Sequence, residues 1–150
     1  MTKLAGGCSC GAIRFELSEP PIWVLACHCN ACKKRTGSNY GLSAVCDSTT
    51  VETFTGDTKT YSRGGDSGNE VHYEFCPNCA TTIRWHVELV PNRQVFAVGA
   101  FDKPEELEVI AEMYTNDALP GAKLGYDLSC PKAPDDAMRQ AMIERASSSR

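Results

Sequence analysis

The stretch "FCPNCATTIRWHVEL", residues 75–89, decides the fold. Its first part is a C-x-x-C turn, with Cys76 and Cys79 around Pro77 and Asn78. Its second part alternates apolar and polar side chains from Ile83 to Val87, the pattern of a half-buried strand. A C-x-x-C beside a βαβ pattern reads as a thioredoxin-like redox motif. Here no βαβ pattern surrounds the motif. Metal binding is therefore the better reading, with the redox motif as the alternative. Two intervening residues fold the chain back far enough to bring two thiolates under ~4 Å apart, as a tetrahedral zinc requires.

Working outward, the chain reads as a succession of short strands. They are residues 12–17, 22–26, 40–45, 51–54, 71–75, 82–89, 94–101 and 108–115, all rich in Val, Ile, Phe, Tyr or Thr. Turn chemistry separates them: "SEPP", "TGDT", "RGGDSGN", "VPNRQ" and "DKPEE". The stretch 63–70 reads as the most flexible internal segment. From Asn116 onward the pattern becomes irregular. The exception is "DDAMRQAMIERA" (135–146), which reads as a helix with Asp at its start and Arg near its end. The expectation is a mainly β protein with little helix. Residues 1–134 form one zinc-binding domain, and residues 135–150 a C-terminal helix with a disordered "SSSR" tail.

The sequence has 150 residues, a length suited to one domain, and a net charge of −4. Nucleic-acid binding would call for clustered basic charge, so it is not expected. No apolar run approaches the ~20 residues that span a bilayer. "MTKLAGGCSC" lacks an apolar signal segment, so a cytoplasmic location is expected. Oligomerisation has no signal either way. Nine cysteines in such a chain favour metal or redox chemistry over disulfides.

Seven of the nine cysteines are grouped. Cys8 and Cys10 form a C-x-C, in which residues i and i+2 of extended chain share one face. Cys27, Cys29 and Cys32 lie in "LACHCNACKKRTG" (25–37), and Cys76 and Cys79 form the third group. Cys8, Cys10, Cys76 and Cys79 together make a closed four-thiolate site that ties the N-terminal strand to the middle of the chain. Cys27, Cys29 and Cys32 then form a three-ligand site, the catalytic pattern with one position open. Cys46 is open to three readings: a buried thiol, a fourth ligand, or a reactive residue. Cys130 reads as a non-ligand. His28 should point away from a metal held by its two neighbours. His72 and His86 read as hydrogen-bonded structural residues.

Four motifs carry a family resemblance: "GGCSCGAIRFEL", "ACHCNACKKRTGS", "FCPNCATTI" and "VFAVGAFDKPEEL". From about Gly6 to Pro120 the chain resembles the glutathione-dependent formaldehyde-activating enzyme family, which also includes centromere protein V. The resemblance implies a β-tent of small twisted antiparallel sheets, shared with a Rab-guanine-exchange-factor-like zinc protein. It implies two zinc ions per chain. Cys8, Cys10, Cys76 and Cys79 match the structural site, and Cys27, Cys29 and Cys32 the catalytic one. It also implies a carbon–sulfur lyase that joins glutathione and formaldehyde as S-hydroxymethylglutathione, or acts on a related conjugate.

The residues agree with this chemistry. A thiol is mostly protonated at neutral pH, and zinc deprotonates it. Lys33, Lys34 and Arg35 would offset the negative thiolate centre and hold the carboxylates of glutathione. Their alternative is a solvated basic turn. Glu70, Glu74 and Asp102 are the candidate general bases. The competing functional class is a zinc-stabilised binding module with both ions structural, and the fourth ligand of the 27–29–32 site separates the two.

Overall fold

The computed structural model describes residues 4–148. Met1–Lys3, the start of the stretch read for a signal segment, and Ser149 and Arg150, the end of the expected disordered tail, lie outside the described residues. Among the described residues there are eleven strands and two α-helices. The protein is mainly β, as the strand patterns require. Among the described residues, no helix is long and apolar enough to cross a membrane. The chain divides into two compact units, one from the residues up to Pro21 with Ala44–Leu107, the other from Ile22–Ser43 with the residues from Glu108 on.

In the first unit, β1 (Leu4–Gly7), β2 (Arg14–Leu17) and β5 (Val51–Thr55) form an antiparallel sheet in the order β1-β2-β5. A second run has the order β4-β9-β8-β7-β6. Its strands are β4 (Gly41–Asp47, which enters this unit at Ala44), β6 (Lys59–Gly64), β7 (Glu70–Phe75), β8 (Thr82–Val87) and β9 (Arg93–Ala97). β6, β7, β8 and β9 pair antiparallel. Ile13, Phe15, Ile83 and Phe96 are fully buried. Phe15 packs on Phe96 at 4.5 Å between ring centroids and edge-on to Phe101 at 5.1 Å, arrangements that aromatic quadrupoles favour. Gly6 is required by this packing. A Cβ there would stand 2.3 Å from the Ala100 carbonyl oxygen and 2.4 Å from the Phe15 ring. Within the 63–70 stretch, residues 65–69 form a tight β6–β7 connection, closed by the Gly65 N–H donating to the Asn69 carbonyl at 2.8 Å.

The second unit holds β3 (Trp23–Cys27), α1 (Asn30–Thr36), β10 (Ala111–Met113), β11 (Leu128–Cys130) and α2 (Asp136–Ser148). Its strands run in the order β11-β10-β3, and both pairings are parallel. These two parallel pairings depart from the antiparallel sheets that the resemblance implies. Parallel neighbours need a long crossover connection. The chain supplies one between β3 and β10 by inserting most of the first unit, and another between β10 and β11 with residues 114–127. α2 lays Met138, Met142 and Ala146, spaced four apart, onto Leu25, Ile110 and Ala111. That spacing places them on one helix face. Asp135 caps α2 by accepting from the Met138 N–H at 2.8 Å. Ser147 and Ser148 of the expected tail belong to α2.

α1 is the helix that the strand reading missed. Its N-cap is Cys29, whose Sγ accepts from the Cys32 N–H at 3.3 Å. Its C-cap is Gly37 at φ 66°, whose N–H donates to the Lys33 carbonyl at 2.8 Å. Glycine suits that left-handed position because it has no Cβ to clash.

Candidate metal centres

The first centre is built from two turns of similar design. Cys8 and Cys10 follow β1, and Cys76 and Cys79 join β7 to β8. In the first turn, the Ile13 N–H donates to Cys8 Sγ at 3.2 Å and the Gly11 N–H to the Cys8 carbonyl at 3.0 Å. In the second, the Cys76 N–H donates to the Thr81 carbonyl and the Ala80 N–H to the Cys76 carbonyl, both at 2.9 Å. Ala80 takes up φ 60° to close that turn, at a steric cost for a residue with a Cβ. Thr81 links the turns, since its hydroxyl meets the Ser9 N–H at 3.2 Å and Cys79 Sγ at 3.1 Å.

The four sulfurs lie within 4.8 Å of one another, with Cys8 Sγ 3.5 Å from Cys10 Sγ and Cys10 Sγ 3.7 Å from Cys76 Sγ. Thiolates around one tetrahedral zinc at ~2.3 Å stand ~3.8 Å apart. The set therefore fits an ion of that size. Without an ion the thiols ionise unequally. The hydroxyl and backbone of Thr81 pull Cys79 down to about 5. Cys10 is pulled down by the Ala12 backbone, but its sulfur neighbours and burial outweigh this and push it up to about 11.

The second centre is local. Cys27 ends β3, Cys29 caps α1, and Cys32 sits in the first turn of α1. Their three sulfurs also lie within 4.8 Å of one another. Cys27 and Cys32 are only 2% and 7% exposed, and Cys29 is half-buried. Hydrogen bonding to Cys29 and Cys32, together with burial, pushes the Cys27 thiol far up. The Cys32 thiol is raised as well.

The basic run divides by position. Lys33 Nζ donates to the Asp117 carbonyl. Arg35 lies over Gly41, where a Cβ would stand 2.6 Å from Nη2, and its charge acts to lower Cys32. Lys34 is exposed.

His28 is fully buried and turns to Glu112, with Nε2 2.9 Å from Oε2. Sequence reasoning missed Glu112. It is 2% exposed and also accepts the Leu124 N–H at 3.0 Å and the Gly125 N–H at 2.9 Å. Its signal was an acidic residue between Ala111 and Met113 in an apolar strand.

The remaining candidates are engaged elsewhere. Asp102 pairs with Arg14 at 2.8 Å, which holds its carboxyl below the usual range. Glu74 pairs with Arg84 at 3.0 Å and accepts from Thr58 at 3.1 Å. Glu70 faces His72. Cys46 is a buried thiol pushed up to about 12 by burial, and its Sγ contacts the Ala44 carbonyl at 3.8 Å. Cys130 Sγ donates to the Lys132 carbonyl at 3.1 Å. Neither joins a thiol group, and all nine cysteines are reduced.

A crystal structure of a Rhodobacter sphaeroides protein superposes with a TM-score of 0.54 at 19% identity, covering 70% of this chain and 96% of the other. That likeness concerns the fold alone. In sequence, a Halomonas elongata protein bearing the provisional name glutathione-dependent formaldehyde-activating enzyme is 33% identical over 120 residues, 73% of this chain and 75% of its own. The sequence profile described as glutathione-dependent formaldehyde-activating enzyme matches residues 3–117, a span that takes in both thiol groups and stops short of β11 and α2. With both thiol groups inside that span, the chain belongs to the glutathione-dependent formaldehyde-activating enzyme family.

Proposed function

We propose that the protein is a zinc-dependent carbon–sulfur lyase acting on thiol–carbonyl adducts, with glutathione and formaldehyde as its substrate pair. The observation that carries this reading is the three-sulfur group of Cys27, Cys29 and Cys32 in a chain of this family. Zinc held by three thiolates keeps one position for a substrate sulfur, and supplies there a thiolate at neutral pH and a Lewis acid. On this reading the chain takes two zinc ions, the other held by Cys8, Cys10, Cys76 and Cys79. Residues 1–134 are then the zinc-binding domain, with residues 135–150 appended. A reduced, thiol-rich protein of this kind suits a reducing compartment such as the cytoplasm.

The chain's own residues supply the positioning. Cys27 is fixed by the β3 backbone, and Cys29 and Cys32 by the cap of α1. Arg35 offsets the negative charge of three thiolates. Lys34 offers an exposed donor to a glutathione carboxylate, while Lys33 is held on the Asp117 carbonyl. In the forward direction the glutathione sulfur bonds to the formaldehyde carbon, the carbonyl π pair moves to oxygen, and that oxygen takes up the proton the thiol gave up. The reverse step breaks the same bond.

The burial of Cys27 and Cys32 favours a second reading, a binding module in which both ions are structural. Exchange NMR with ¹³C-formaldehyde and glutathione separates the two. A lyase speeds interconversion of free formaldehyde and S-hydroxymethylglutathione above the spontaneous rate, and Cys29→Ser abolishes the gain. A zinc-loaded protein that leaves the rate unchanged is the binding module.

A further inference from the structure

Away from the cysteines, the register of β7 and β8 gathers four side chains on one sheet face. Glu70 and His72 alternate along β7 and so share a face. His86 on β8 pairs opposite His72, and their rings stack at 4.6 Å. Glu88, just beyond β8, lies opposite Glu70, since its N–H donates to the Glu70 carbonyl at 3.1 Å. Like charges directly opposite on neighbouring strands destabilise a sheet. A cation between the two carboxylates would relieve that repulsion.

The ligand atoms already converge. His72 Nε2 stands 3.2 Å from Glu88 Oε1 and 3.8 Å from Glu70 Oε2, and the three atoms lie within 4.8 Å of one another. Nitrogen and oxygen donors at ~2.0–2.2 Å around a tetrahedral ion stand ~3.3 Å apart. The outer atoms are tied down as well. His72 Nδ1 meets Ser62 Oγ on β6 at 2.7 Å, and the second oxygen of Glu88 accepts the Glu70 N–H at 3.1 Å. Outer contacts of this kind orient histidine and carboxylate ligands towards a metal.

We propose that Glu70, His72 and Glu88 bind a divalent transition ion, zinc by the mixed nitrogen and oxygen donor set, at a site that uses no cysteine. The set suits borderline ions better than calcium or magnesium, which prefer oxygen alone. Glu70 and Glu88 are 57% and 49% exposed. The ion is therefore solvent-facing and exchanges more readily than one held by thiolates.

The test adds Zn²⁺ by calorimetry to full-length protein already carrying its thiol-bound metal. The wild type takes up one further ion per chain in a saturable step, and the ring signals of His72 shift in a histidine-selective NMR spectrum. His72→Gln and Glu88→Gln each weaken that step by ~10-fold or more, with thiol-bound metal content unchanged. Glu88 lies outside β8, so Glu88→Gln carries the test if His72→Gln folds poorly. Absence of a saturable step overturns the proposal. So does uptake that both variants leave intact, since the ion then sits elsewhere. This test does not depend on lyase activity.

Discussion

The two thiol groups use the same ligand chemistry and differ in what they tie together. Cys10 and Cys76 meet at 3.7 Å across 66 positions of sequence. Cys27, Cys29 and Cys32 span one strand end and one helical turn. An ion in the first centre closes a long loop of the unfolded chain, and the entropy of closure grows with loop length. An ion in the second centre closes almost nothing. The first is therefore suited to holding the fold together, and the second to exchanging a ligand.

The largest expected effect tests the first half of that contrast. Apparent zinc-binding free energies of structural thiolate sites run about 10–16 kcal/mol, as large as the total stability of most domains. Cys76→Ser should therefore give protein that is insoluble, or that lacks a cooperative melting transition by circular dichroism. A variant melting within a few degrees of the wild type would remove the distinction between the centres. The complement is mild chelation of the wild-type protein. It should extract one zinc, measured with a metallochromic dye, and leave the β signal intact. Loss of both ions together with unfolding would mean that the second centre also supports the fold.

A smaller effect is expected at Glu112, which ties the β3 end at His28 to the Leu124–Gly125 backbone. Removing an acceptor so that buried donors are left unsatisfied costs about 1–3 kcal/mol. Glu112→Ala should lower stability by that order in denaturant titrations at pH 7. Burial acts to raise the Glu112 carboxyl, but the Leu124 N–H, His28 and the Gly125 N–H outweigh it and hold the value below the usual range. A carboxylate lowered by folding stabilises above its unfolded value, and that contribution is lost as pH falls through the lowered folded value. The stability gap between wild type and Glu112→Gln should hold steady from pH 7 to about 5 and narrow below ~4.5. A gap independent of pH would mean that the carboxylate charge plays no part.

Most of the β framework could be read from the sequence because alternation along a strand reports burial directly. Six strands fell within two residues of an apolar run, the runs 94–101 and 108–115 overran β9 and β10 by up to four residues, and β11 lay in the stretch read as irregular. β1 escaped because "LAGG" carries two glycines where packing demands the absence of a side chain. β6 escaped because it is almost wholly exposed and has no apolar face to show. α1 was hidden because its N-cap is a cysteine, outside the usual capping residues. The parallel pairings were invisible because strand partnership is a long-range property that no local window records. Cysteine spacing identified both thiol groups, since C-x-C and C-x-x-C bring sulfurs together over a few bonds. His28–Glu112 and the Glu70–His72–Glu88 cluster depend on register between strands, which those spacings do not encode.

The smallest effect separates the members of the basic run. Lys33 is held by the Asp117 carbonyl, and Arg35 lies over Gly41 beside Cys32, so substituting either disturbs local structure as well as charge. Lys34 is exposed and is the clean probe of substrate contact. An exposed ion pair contributes about 0.2–1 kcal/mol. Lys34→Ala should therefore weaken glutathione binding to the zinc-loaded protein by roughly 1.4- to five-fold, with zinc content unchanged. Mercaptoethanol has no carboxylate for Lys34 to hold, so its affinity should not move. Raising salt from 0.01 M to 0.15 M shortens the screening length from about 30 to about 8 Å. It should shrink the difference between wild type and Lys34→Ala for glutathione alone. Calorimetric titration of both thiols into both proteins at two salt concentrations gives the whole set. Equal glutathione affinities would assign Lys34 to the solvent and leave Arg35 as the cation that balances the thiolate centre.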